Sequence, residues 1–264
     1  MENKTHLEFG PRYEKIESMK TFERLSLPII PYQVLDEKHF KGEVFEFARK
    51  HKLDKIMVRT DGKGKSSPRL LDTPINEETF REIESYFLNG YLVFIAHPGN
   101  IYRNMHSANI MVSDDEICIE VVGPGFMAAD LNRGNMVPQE TLIISIKDFQ
   151  VTERNVWEEM YHLERKKRLQ ESDVEELQKH RSYLLEFENY PKLNDRELIV
   201  LEDASSKLMA WKKANKKGDF IASMSFIDLG SVEDEQISPA FWDIHEETSA
   251  KQAPVNKFYR YEGD

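Results

Sequence analysis

The chain has 264 residues, 40% hydrophobic and 31% charged, which supplies a core for one large domain or two interlocked lobes and excludes a disordered chain. A formal net charge of −11 and a pI near 5.3 exclude general affinity for nucleic-acid backbones; the Lys/Arg runs at 63–65, 165–168 and 212–217 are short and flanked by acids. The lone Cys118 forbids an intrachain disulfide and a multi-cysteine zinc site. No apolar run approaches the roughly 20 residues that cross a bilayer, and residues 1–12 have no signal-peptide core, so cytoplasm without membrane attachment is the expected setting.

In chain order, Tyr13–Leu25 predicts a helix from its stripe Ile16, Met19, Phe22 and Leu25. Leu27–Leu35 is extended because Pro28 and Pro31 break helices and bias their predecessors toward extended backbone. Asp36 reads as the N-cap of a helix over Glu37–His51. Lys55–Arg59 predicts a strand opening into a polar loop, Thr60–Asp72, and Asn76–Leu88 a further helix. Tyr91–Ala96, Ser107–Val112 and Glu116–Val122 predict strands, the last two joined by the turn Ser113-Asp114-Asp115; Cys118 falls in an apolar alternation that predicts a buried, inert thiol. Gly123–Pro138 reads as a glycine- and proline-rich loop before a strand at Thr141–Ile146. Thr152 reads as the start of a helical stretch, 152–214, with capping boxes at Ser172-x-x-Glu175 and Asn194-x-x-Glu197. Phe220–Leu229 and Ile237–Ile244 return as strands, the second weakened by Pro239, and the order of elements predicts an α+β fold.

Four places carry candidate chemistry. Arg59-Thr60-Asp61-Gly62 joins a strand-end guanidinium to a flexible loop, which suits a polyphosphate; an Arg59–Asp61 ion pair in a surface turn is the plainer reading. Arg59 occupies the lysine position of a Lys-x-Asp-Gly nucleotidyltransferase motif, and a guanidinium cannot serve as that nucleophile. Glu120, Asp130, Asn132 and Arg133, in and beside the glycine-rich loop, offer oxygens for Mg²⁺ and a fork for an anion, or else pair with one another. His97, Arg103 and His106 have no zinc spacing, but their segment suits a hinge whose backbone reads a base, with Arg103 toward phosphate. On the C-terminal strands Asp243 is a candidate metal ligand and Trp242 a core residue; without a Gly-x-Ser-x-Gly elbow a serine-hydrolase triad is not supported.

Lys15 opening a helix, Ser26-Leu27-Pro28-Ile29-Ile30-Pro31 and Val58-Arg59-Thr60 together resemble the ATP-grasp nucleotide-binding domain of phosphoenolpyruvate synthase, pyruvate phosphate dikinase and rifampicin phosphotransferase. The resemblance covers about the first half of the chain. It lacks that family's Ser-Phe-Ala-Gly stretch and a closing Gln-x-Arg, and the chain has no room for the phosphohistidine domain, so a full dikinase cycle is excluded. It implies a two-lobed ATP-grasp-like fold, divided as 1–90 and 91–264, that binds ATP and Mg²⁺. Lys15, Arg59 and Arg103 or Arg133 would face phosphate, Ile95, Ala96 and His97 would form the adenine hinge, and Glu120, Asp130 and Asp243 would hold metal. A phosphotransferase or ligase with a small-molecule or peptide acceptor is expected. The rivals are a non-catalytic nucleotide-binding or protein-interaction module, with the charged helices as its contact surface, and an α+β protein with no nucleotide.

Overall fold

The computed structural model describes residues 15–62, 68–98, 106–123, 128, 138, 140–156, 192–228 and 237–246. The chain divides into two compact units, one made of Met1–Phe9, Tyr13–Ile101 and Ile227–Asp243, the other of Gly10–Arg12, Tyr102–Phe226 and Ile244–Asp264.

The first unit contains α1 (Lys15–Arg24), β1 (Tyr32–Val34), α2 (Phe40–His51), β2 (Lys55–Asp61), β3 (Arg69–Pro74), α3 (Glu77–Leu88) and β4 (Leu92–Ala96). Its sheet runs β1-β4-β2-β3, every pairing antiparallel. Strand alternation splits the core in two. Ile56, Val58, Val93 and Ile95 pack with Phe40, Val44, Phe47, Phe80 and Ile83 of α2 and α3. Met57, Phe94 and Ala96 face the other way, against Ile16 and Met19 of α1 and Ala240. Phe22 of α1 lies 5.1 Å from the Phe241 ring, and Phe241 N donates to Pro28 O.

The second unit is built on antiparallel strands β5 (Ser107–Val112), β6 (Ile117–Val122), β7 (Glu140–Ile144), β8 (Val151–Val156) and, as far as Phe226, β9 (Phe220–Asp228), in the order β9-β5-β6-β7-β8; most of the last strand, β10 (Ile237–Glu246), belongs to the first unit. Helix α4 (Asp195–Ala214) buries Leu201, Ala204, Leu208 and Met209. Its start is the capping box expected from sequence, with Asn194 Oδ1 accepting from Glu197 N and Glu197 Oε2 accepting from Asn194 N. Near its end the buried Lys212 ammonium pairs with Asp114 of the β5–β6 turn and with Asp219, 3.1 Å away. Cys118 is buried, and burial pushes its thiol well above the usual range.

The α+β class holds. Three local expectations do not. Helix α2 starts at Phe40 after His39, and Asp36 instead accepts from Lys38 N and lies 2.9 Å from His39 Nδ1, closing the turn before the helix. The segment read as a loop over Thr60–Asp72 contains the end of β2 and the exposed edge strand β3. Thr152 belongs to strand β8, so the 152–214 stretch opens as strand; its capping box at Ser172 lies outside the described residues. No described helix is long and apolar enough to cross a membrane.

Candidate functional site

In the first unit the chemistry gathers at the end of β2. Lys15 Nζ donates to Thr60 O at 2.9 Å, and Asp61 Oδ2 accepts from Ile16 N at 2.9 Å, 45 residues away. Asp61 is buried, and its second oxygen accepts from Gly62 N. A carboxylate at that point satisfies an open helix N–H and opposes the positive end of the helix dipole, a contribution of about 0.3–2 kcal/mol. Asp61 is therefore the cap of α1, a role that neither the polyphosphate reading nor the ion-pair reading contained. Arg59 lies opposite Phe94 of β4 and, by alternation, on the face of Met57 against which α1 packs. Folding thus brings the Lys15 ammonium to the residue that follows Arg59.

The proposed hinge residues Ile95 and Ala96 are buried on the inner strand β4, while His97 N donates to Pro31 O and its ring lies 6.5 Å from that of His51. Asp243 is buried and accepts from Ser18 Oγ of α1 at 3.3 Å. Arg103, Asp130 and Arg133 lie outside the described residues.

The second unit holds a different arrangement. Register aligns Ser223 of β9, Asn109 of β5, Glu120 of β6 and Thr141 of β7 in one row across four strands. A strand reading Ile-Cys-Ile-Glu-Val-Val would ordinarily be apolar on both faces, so the glutamate stands out in sequence. Ser223 Oγ donates to Asn109 Oδ1 at 2.8 Å, and Asn109 Nδ2 donates to Ala128 O. Glu120 is fully buried, yet neither carboxylate oxygen has a hydrogen-bond partner among the described residues, and the same is true of Thr141 Oγ1. Desolvation pushes the Glu120 carboxyl up to about 8. Leaving a buried polar group unpaired costs about 1–3 kcal/mol, which a bound partner removes. Sequence alternation alone could not show that the hydroxyl of Thr141 sits opposite this carboxyl.

His106, read from sequence as part of the hinge segment, is buried with Nδ1 2.9 Å from Glu197 Oε1. Among the described residues no three His, Cys, Asp or Glu side chains gather as a metal site, so the described carboxylates do not by themselves form a Mg²⁺ cage.

No family model matches the chain, and no curated protein matches it in sequence. Solved structures are similar to it. ACD1 of Ca. Korarchaeum cryptofilum, in complex with coenzyme A, is 11% identical with a TM-score of 0.50, covering 89% of this chain and 93% of its own. The macrocyclase MdnC of Microcystis aeruginosa MRC, bound with precursor peptide MdnA, is 10% identical with a TM-score of 0.41, covering 94% and 55%. The ATP-grasp ligase PsnB, complexed with minimal precursor, is 8% identical with a TM-score of 0.39, covering 88% and 51%. The chain thus spans about half the length of the latter two. At this identity the likeness is one of fold alone: the chain shares an α+β architecture with the ACD1 structure.

Proposed function

We propose that the protein binds ATP with Mg²⁺ and couples it to ligation or phosphoryl transfer onto a small-molecule or peptide acceptor. The observation that carries this reading is the convergence at the end of β2, where Lys15 of α1 reaches the carbonyl next to Arg59. Positioned cations are what a triphosphate needs, because phosphoryl transfer depends chiefly on orientation and charge stabilisation. The resemblance of the first half of the chain to an ATP-grasp nucleotide-binding domain supports the reading, and the neighbours seen with precursor peptides suggest a peptide as one class of acceptor. Ile95, Ala96 and His97 are the proposed adenine-side backbone, with Arg103 and Arg133 as further phosphate contacts. Asp130 and Asp243 are the carboxylates proposed for the metal, which the triphosphate oxygens would hold in part; Glu120, a metal candidate from sequence, stands in its row with no second carboxylate among the described residues.

A second reading, a nucleotide-binding or protein-interaction module without catalysis, draws on a specific observation. Lys15 and Asp61 are already engaged in holding α1 to β2. Thermal unfolding with and without Mg-ATP, together with an assay of ADP release, separates the two. Ligand at about 100 times its Kd stabilises by about 2.7 kcal/mol, and Arg59→Ala is expected to lose that shift and any turnover while remaining folded. A shift without turnover selects the module. No shift with wild-type protein removes nucleotide binding altogether, and an undiminished response in Arg59→Ala removes this residue from the site.

A further inference from the structure

We propose that the polar row on the second unit's sheet is a binding site for a primary ammonium group, held by Glu120 and Thr141. The inference stands on this unit alone and does not rest on the nucleotide reading.

Three buried acceptor atoms lie on directly paired residues without hydrogen-bond partners among the described residues: Glu120 Oε1, Glu120 Oε2 and Thr141 Oγ1. Residues directly opposite on antiparallel strands hold their Cβ atoms about 4.5–5.5 Å apart, so one small group can reach both side chains. An ammonium carries three N–H donors and no acceptor, which matches three acceptor atoms. The next member of the row, Asn109, has its carbonyl oxygen turned to Ser223 and its amide to Ala128, and so forms a fixed wall. A divalent ion fits worse. Mg²⁺ demands near-octahedral oxygen coordination, and no second carboxylate joins Glu120 in the described row. The row contains no Lys, Arg or His, and the other titratable group on this face of β6 is the Cys118 thiol, which burial keeps protonated. Glu120 is fully buried, so a bulky quaternary cation would have to displace the side chains around it.

The test uses the full chain and methylammonium chloride as probe, with tetramethylammonium, potassium and magnesium chlorides at matched ionic strength as controls. Thermal unfolding is read at pH 8. Methylammonium is expected to raise the unfolding midpoint of the wild type, while the controls leave it unchanged. Glu120→Gln should abolish the response and Thr141→Val should weaken it severalfold. An equal response to tetramethylammonium or magnesium overturns the proposal, as does an undiminished response in Glu120→Gln or no response in wild type. The order of the four cations on wild-type protein decides the matter even where a variant fails to fold. Nucleotide is absent throughout, so failure here leaves the Mg-ATP measurement untouched.

Discussion

The two faces of the second unit's sheet treat buried glutamate in opposite ways. Glu140 on β7 and Glu120 on β6 sit on neighbouring strands, and alternation turns them to opposite sides. On Glu140's side every charge is answered: Arg154 Nε donates to its Oε2 at 2.9 Å, and Leu193 N donates to its Oε1 at 2.7 Å. Arg154 also donates to Leu193 O, so the group fixes the chain just before α4. On Glu120's side the carboxylate is buried as deeply with no such answer. The difference teaches that burial of a charge does not by itself mark function. A satisfied carboxylate is structural, whereas an unsatisfied one lowers stability and keeps its oxygens for something else.

Three measurements break or sharpen that contrast. The largest loss of stability from a single substitution is expected for Glu140→Ala, which strands both Arg154 and the Leu193 N–H; urea unfolding should show a loss of about 3 kcal/mol. A loss below about 1 kcal/mol would mean that the satisfied face is no better built than the other.

Glu120 should behave in the opposite sense. Its carboxyl titrates near 8 when folded against an ordinary 4.5, so between those values the folded state holds a proton that the unfolded chain has released. Its contribution is fully present below pH 4.5 and is lost as pH rises, by up to about 1.4 kcal/mol per pH unit, levelling off above about 8. The stability difference between wild type and Glu120→Gln, followed from pH 5 to 9, should trace this fall. A flat difference would show that Glu120 is paired after all.

The smallest change is Asn194→Ala, which removes one half of the capping box. About 1 kcal/mol is expected, with the fold unchanged by circular dichroism. A null effect would show that the Glu197–His106 contact holds the start of α4 unaided.

That capping box was legible because its parts lie three residues apart, and β5 and β6 because their apolar runs flank an obvious turn. Glu120 was legible as the one acid in an apolar strand. What escaped was non-local or edge-bound. Strands β3 and β8 are largely exposed, and with few apolar side chains to bury they carry no alternation to read. The positive φ of 48° at Asp72 makes β3 look still more like a turn. Asp36 and Asp61 are both capping acids, but Asp36 serves a turn beside it and Asp61 a helix 45 residues earlier, a distance that no local pattern encodes. The burial of His106 escaped for the same reason, since its partner Glu197 lies 91 residues on.

The tether between α1 and distant parts of its own unit has a consequence for how the chain folds as it is made. At about 5–20 residues per second, α1 emerges some seconds before the Asp61 that caps it, and much longer before Phe241 and Asp243, which close over Phe22 and Ser18. A ten-residue helix is marginal by itself in water. The inner face of α1 must therefore stay unsealed until Phe241 and Asp243 have left the ribosome. A chain cut short before Ile237 would present Phe22 and Met19 to solvent, and to any chaperone that recognises them.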